Sequence, residues 1–257
     1  MIPSGPVFRQ LVSRAVRTDY LDNLTGFAWL VIQPLLLLAV YAFVFTTIFK
    51  ARIPAAGEMG FVPFLAVAFW PWTAFSESVL RASGAVTANA ALMGKVAFPA
   101  ELLPLSTVTA TFLMHLAGYL VVLIVLQLLG TTVHWLGLLA ALPVLLLLGL
   151  LACALALFAS ALQVFLRDVA QILPPLMTFW FFTTPILYSA SLLPPQWAAV
   201  MQFNPMTWYV DRLRDFLLFG DFGLGVADLV VPFLTLLMFG LALVFFRRFS
   251  PHFEDFL

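Results

Sequence analysis

Six long apolar stretches dominate this sequence and leave few folds open to it. Phe27–Phe49, Leu102–Leu129, Trp135–Leu162, Ile172–Ala190 and Leu229–Phe246 contain no charged side chain, and Phe61–Leu80 contains one, Glu77. A helix needs about 20 mostly apolar residues to cross a bilayer, so each stretch predicts a spanning helix. Pro174, Pro175 and Pro185 inside the fifth do not exclude it, because neighbouring helices can satisfy the freed carbonyls. Only 9% of the 257 residues are charged, against about 25% in soluble domains. Such a chain could not cover a soluble surface, and its apolar excess must face lipid. The expectation is an all-α membrane protein forming one transmembrane domain over residues 1–257.

The segments between the spans refine this picture. The first span is too long for a cleaved signal peptide, and no small-x-small site follows it. Ahead of it, Phe8, Leu11, Val12, Ala15 and Val16 recur at helical spacing with Arg9, Arg14 and Arg17 between them, which predicts an amphipathic helix lying along the membrane surface over residues 1–26. With the N-terminus inside, eight basic residues lie inside (Arg9, Arg14, Arg17, Arg81, Lys95, Arg167, Arg247 and Arg248) and four outside (Lys50, Arg52, Arg212 and Arg214). The positive-inside rule therefore puts both termini in the cytoplasm. Residues 81–101 form a long inner loop, broken at Ser83-Gly84 and closed by Pro99. Residues 191–227 form a long outer segment, in which Asn204 suits an N-cap and Pro205 the first helical position. Two short helices re-entering the outer leaflet fit its length, since neither half is long enough to span.

Most chemistry is missing from the pattern. A P-loop would place Gly at 89 and Ser or Thr at 96 around Gly94-Lys95, and those positions hold Asn89 and Val96. His115, His134 and His252 have no metal-ligand spacing with one another or with Cys153. The sole cysteine rules out a disulfide within the chain. Twelve basic residues balance twelve acidic ones, so charge gives no reason to expect nucleic acid. No serine elbow or paired carboxylate appears, and Asp19 and Asp22, ahead of the first span, have no chemical support around them. His115, within a span, reads first as a helix–helix hydrogen-bonding residue.

Three signals remain. Glu77 is a lone carboxylate in a span, costly there unless it faces a bundle interior, water or a partner. Arg81, four residues on, can pair with it, so Glu77 is either a paired structural charge or a residue near a pathway. Aromatic residues cluster at Trp70, Trp72 and Phe75, and again at Phe179, Trp180, Phe182 and Tyr188. Interface belts or packing explain such clusters; a lining on which sugar rings stack is the alternative. Arg167-Asp168, after the fourth span, could cap a helix or meet a cytoplasmic partner.

The order of landmarks resembles the permease subunit of ABC-2 type polysaccharide exporters, the Wzm-like group that serves O-antigen, capsule and teichoic acid export. The stretches that carry it are Gln33-Pro34; Phe69-Trp70-Pro71-Trp72-Thr73-Ala74-Phe75-Ser76-Glu77; Lys95-Val96-Ala97-Phe98-Pro99-Ala100-Glu101-Leu102-Leu103-Pro104-Leu105; Phe165-Leu166-Arg167-Asp168-Val169; and Thr184-Pro185-Ile186-Leu187-Tyr188 followed by Leu193-Pro194 and Asn204-Pro205-Met206-Thr207. They cover nearly the whole chain in order. One stretch departs: where the group is basic before the first span, this chain has Asp19-Tyr20-Leu21-Asp22-Asn23, which removes the ground for a headgroup-binding role there.

The resemblance implies a homodimer in the bacterial inner membrane with two copies of a separate cytoplasmic ATPase beneath it. ATP and Mg would be bound by that partner, and this chain would hold no cofactor, no metal and no catalytic residue. Asn89, Leu92, Met93, Lys95 and Phe98 of the inner loop, with Arg167 and Asp168, would couple to the ATPase. The aromatic clusters would line in part a channel for an undecaprenyl-pyrophosphate-linked polysaccharide, O-antigen foremost, and an outer gate would involve Asn204, Met206 and Asp211. Competing expectations are an ABC-2 permease for another lipid or a drug, a membrane-embedded enzyme of glycan assembly, and a channel or secondary transporter. The enzyme lacks a catalytic acid or metal site, and the secondary transporter lacks inverted repeats.

Overall fold

The computed structural model describes residues 4–18, 26–50, 60–93 and 98–257. The described residues are helices and connections, with no strand among them. In chain order the helices are α1 (Ser4–Val16), α2 (Gly26–Phe43, continued by a π-helical turn, Val44–Ile48), α3 (Phe61–Ser83), the short turns α4 (Ala85–Ala88) and α5 (Ala90–Met93), α6 (Leu102–Leu128), α7 (Trp135–Phe165), α8 (Val169–Thr183), α9 (Pro195–Met201), α10 (Pro205–Arg214, continued by a π-helical turn, Asp215–Phe219) and α11 (Ala227–Phe249).

Among the described residues, three segments are long and apolar enough to cross a membrane: Leu102–Leu128, Trp135–Phe165 and Ala227–Asp255. Shorter apolar helices cover Ile32–Ile48 and Val169–Thr183. The outward faces of these helices are greasy, with Leu136, Leu229 and Val244 largely exposed, as lipid contact requires. α3 is different. Its 23 residues reach about 34 Å at 1.5 Å per residue, and it is buried nearly all round, with Leu65, Val67, Trp70, Phe75 and Val79 fully enclosed. A helix apolar on every side belongs in the middle of a bundle. α3 sits there, packed on α6 and α7, with α2, α8 and α10 also against it, while α11 lies on the far side of α7 and α1 lies against α6.

The expected fifth span, Ile172–Ala190, is not one helix. α8 stops at Thr183, and Thr184 is extended (φ −98°, ψ 138°). Thr184 precedes Pro185, whose ring pushes the preceding residue out of the helical region. α1 forms as the apolar spacing predicts, with Phe8, Leu11, Val12, Ala15 and Val16 half-buried and Arg9, Arg14 and Arg17 exposed.

One end of the bundle gathers the start of α6, the ends of α3, α7 and α11, and the turn before α8. Arg247 Nε donates to Glu101 Oε1 at 2.8 Å across it, and Phe165 packs edge-on against Phe253 and Phe256. The opposite end gathers the α6–α7 connection and residues 184–226. There His134 N donates to Leu217 O at 2.9 Å. A Cβ on Gly137 would lie 1.8 Å from Phe216 O, so only glycine allows α7 to start against that turn.

Candidate functional site

The site is organised by α3, whose residues fall on two faces about a quarter-turn apart. Trp70, Glu77 and Arg81 share one face and look onto α6. Phe69, Thr73, Ser76 and Leu80, with Trp72 beside them, share the other and look onto α2 and α8.

The α6-facing side is a polar seam. Glu77 Oε1 accepts from Arg81 Nε at 2.7 Å, and Glu77 Oε2 lies 2.8 Å from His115 Nε2. His115 is fully buried, so its ring comes from 38 positions away to partner a carboxylate that Arg81 holds from the other side. Trp70 Nε1 donates to His115 O at 2.9 Å. The indole passes so close to Gly118 that a Cβ there would lie 2.6 Å from Trp70 Cζ2. Pro71 has no N–H to give to Val67 O, the acceptor four residues back. Tyr119 OH takes that place, donating to Val67 O at 3.0 Å from full burial. A proline that would otherwise weaken the central helix is thus tied to its neighbour.

The other side is an aromatic crevice of about 270 Å³ between α2, α3 and α8. Tyr41 enters from α2, Phe69 and Trp72 from α3, and Phe181 and Phe182 from α8. Tyr41 stacks on Phe181 with centroids 5.7 Å apart and meets Phe69 edge-on. Trp180 meets Trp72 and Phe75 at 5.9 and 5.4 Å, nearly perpendicular to both. Each such pair contributes about 0.5–1.5 kcal/mol beyond area burial. The two aromatic clusters are therefore one cluster in space. Trp70 is not part of it, being enclosed against α6. Phe179 is exposed on α8, and Tyr188 is half-buried with its hydroxyl donating to Phe182 O at 3.1 Å.

At the inner-loop end, Asn89 follows α4 and its Nδ2 donates to Ala85 O at 2.8 Å. Leu92 and Met93 end α5, Phe98 is half-buried, and Lys95, Asp19 and Asp22 lie outside the described residues. Arg167 and Asp168 are exposed in the turn between α7 and α8, where Asp168 occupies the N-cap position without a side-chain capping bond. A cleft of about 420 Å³ between α1, α4 and α6 takes Arg14, Arg81, Asn89 and Ser106 into its wall. The described inner-loop residues and the Arg167-Asp168 turn thus stand at one end of the bundle.

At the opposite end Asn204 caps α10 as its spacing predicts, accepting from Met206 N at 3.0 Å. The same side chain accepts from Trp180 Nε1 at 2.8 Å and donates to Thr184 Oγ1 at 2.9 Å, so it joins the end of α8 to the start of α10. Met206 is fully buried, and Asp211 lies half-exposed with Oδ1 at 3.6 Å from Arg214 Nη1. Arg214 has a role that its place in an outer charged run does not announce. It is 2% exposed, and its guanidinium donates to Phe64 O, Pro185 O and Ile186 O at 3.1, 2.8 and 2.9 Å while lying 3.4 Å over the Phe64 ring. In the sequence it is one of four charges in Asp211-Arg212-Leu213-Arg214-Asp215 and nothing sets it apart from the others. Arg212 bridges Asp228 and Asp215. Burial raises the Asp215 carboxyl above the ordinary aspartate range, and Arg212 pulls it back.

The described residues form a helical bundle with apolar outer faces and an uncharged aromatic crevice, and no cluster of metal-ligating side chains is found among them. The chain belongs to the ABC-2 type transporter family, whose profile matches residues 6–218. It is 32% identical over 199 residues to the O-antigen export system permease protein RfbA of Myxococcus xanthus, covering 76% of this chain and 74% of that one. It is 24% identical to the protein of the same name in Klebsiella pneumoniae, over 82% of this chain and 79% of that one. With the polysialic acid transport protein KpsM of Escherichia coli it shares 22% identity over 92% and 91% of the two chains.

Proposed function

We propose that this chain is the membrane permease subunit of an ATP-driven exporter that carries undecaprenyl-pyrophosphate-linked polysaccharide, O-antigen foremost, across the bacterial inner membrane. The observation that carries this reading is the likeness, over three quarters of the chain, to a permease named for O-antigen export. In it two copies of the chain form the conduit, and two ATPase subunits bind the inner-loop end. ATP and Mg belong to those subunits. Both termini are cytoplasmic, α2, α3, α6, α7, α8 and α11 cross the membrane, and α9 and α10 re-enter it from outside without crossing.

In this mechanism the coupling end works through Asn89, Leu92, Met93, Lys95, Phe98, Arg167 and Asp168. Nucleotide-driven motion there reaches the bundle through α3 and α8, whose ends adjoin it. The polysaccharide passes along the face of α3 that carries Trp72, with Phe75, Trp180, Phe182 and Phe179 contributing rings. Trp70 and Glu77 hold α3 to α6 and stay out of the path. Asn204, Met206 and Asp211 form the outer gate region.

Export in the native host tests the reading. Deleting the gene should abolish surface polysaccharide and leave lipid-linked chains inside, and Trp72→Ala and Trp180→Ala should impair export without impairing assembly. Lys95→Glu or Phe98→Asp should leave the partner's ATP hydrolysis running without transport. Co-expression with an ATPase subunit encoded alongside should give a complex in mild detergent. Normal surface glycan in the deletion strain would refute the reading.

A further inference from the structure

The crevice between α2, α3 and α8 has a hydrogen-bonding character as well as an aromatic one. Three aliphatic hydroxyls lie in its wall, Thr73 and Ser76 on α3 and Thr178 on α8, beside the Tyr41 phenol and the Trp72 indole. Each gives its hydrogen to its own helix: Thr73 Oγ1 donates to Phe69 O at 2.9 Å, Ser76 Oγ to Thr73 O at 3.4 Å, and Thr178 Oγ1 to Pro174 O at 3.1 Å. A hydroxyl whose proton is already donated presents only lone pairs to a ligand. The wall therefore offers these three oxygens as acceptors between ring faces, with the Tyr41 phenol and the Trp72 indole as its uncharged donor groups. Among the described residues no Lys, Arg or His lines it, and no Asp or Glu does. The charges of α3 stand a quarter-turn away, where Glu77 is occupied by Arg81 and His115.

We infer that this crevice is a carbohydrate-contact subsite that selects uncharged sugar units. The inference rests on the reading of the crevice as part of the polysaccharide path, and it specifies the class of cargo. A neutral sugar supplies hydroxyl donors to these acceptors, and it supplies C–H faces for the rings of Trp72, Phe69 and Phe181. A carboxylate or phosphate on the chain would meet lone pairs, ring faces and only neutral donors, with no cation in the described lining to receive it, and burying an unpaired charge is strongly unfavourable. An acyl or prenyl chain would use the rings but would leave the hydroxyl oxygens unused. A cavity of about 270 Å³ falls just below the pockets of about 300–1,000 Å³ that hold drug-sized ligands, so it suits a chain read one sugar residue at a time.

Tryptophan fluorescence of the purified permease, titrated with a neutral mannose oligosaccharide, a size-matched oligosialic acid and a prenyl phosphate, tests this in wild type, Trp72→Phe and Ser76→Lys. The expected result is saturable quenching by the neutral oligosaccharide, binding of oligosialic acid weaker by about tenfold or more, and loss of the neutral signal in Trp72→Phe. Ser76→Lys should narrow or invert the preference. Equal binding of both glycans by the wild type would overturn the selectivity while leaving the sugar path standing. Binding of neither glycan would overturn both together, and quenching by prenyl phosphate alone would assign the crevice to lipid.

Discussion

The two faces of α3 are built from neighbouring residues and do opposite things. On the seam face, hydrogen bonds reach long distances in sequence: Trp70 to His115, Glu77 to His115, and Tyr119 to Val67. On the crevice face, the Ser and Thr hydroxyls are satisfied within their own helices, and the neighbours meet through rings. A helix fastened on one side by directional bonds can leave its other side loosely lined. α8 shows the consequence, with Met177 and Phe181 its only buried residues and Ile172, Leu176 and Phe179 more than half exposed. In the proposed mechanism this difference separates structural from transport residues along α3, and it can be attacked residue by residue.

The largest effect should come from Trp70→Ala. Truncating a fully buried aromatic costs about 3–5 kcal/mol, and here the bond to His115 O goes with it. A thermal melt in detergent should fall steeply, or the protein should not accumulate at all. Trp72→Ala, two residues on, borders a cavity that already exists; it should cost less stability and should damage export instead. If both variants lost stability equally, the distinction between the faces would fail.

Glu77→Leu should follow. Removing one member of a buried pair costs about 3–5 kcal/mol, and the 30% exposure of Glu77 brings the expectation down to about 2–3 kcal/mol. Denaturant midpoints of Glu77→Leu, Arg81→Leu and His115→Leu measure it, and a double variant should be less damaging than the sum if the three act as a unit.

Tyr119→Phe probes the proline repair. It should cost about 1–2 kcal/mol, because Val67 O is left buried without its donor. Pro71→Ala restores a backbone N–H four residues on, so the double variant should recover most of that loss. A strictly additive cycle would mean that Tyr119 does nothing for Pro71. The smallest effect belongs to Ser76→Ala, within about 0.5 kcal/mol of wild type in stability.

Much of this was legible in the sequence. Apolar runs fixed by lipid marked the helices. The spacing of Phe8, Leu11, Val12 and Ala15 marked α1, Asn204-Pro205 marked a helix start, and Glu77 and Arg81 were a visible pair. These signals are local, spanning a turn or two. The faces of α3 were not legible, because large apolar residues recur all round the helix and the ring positions alone put Trp70 with Trp72. His115 as the partner of Glu77, Tyr119 as the stand-in for the Pro71 donor, and Arg214 as the clamp on Phe64, Pro185 and Ile186 depend on contacts between distant segments. The early end of α8 carried a signal in Thr184-Pro185, which a span counted by hydropathy runs over.

The most direct test of the division of α3 uses the chain's single cysteine. With Cys153 replaced by alanine, Ser76→Cys and Ser78→Cys place thiols two residues apart, one in the crevice wall and one at a position with 0% exposure. During export, a water-soluble thiol reagent should label Ser76→Cys, more slowly when polysaccharide is engaged, and should leave Ser78→Cys unmodified. Equal labelling of the two, or labelling of Ser76→Cys that polysaccharide never slows, would contradict it.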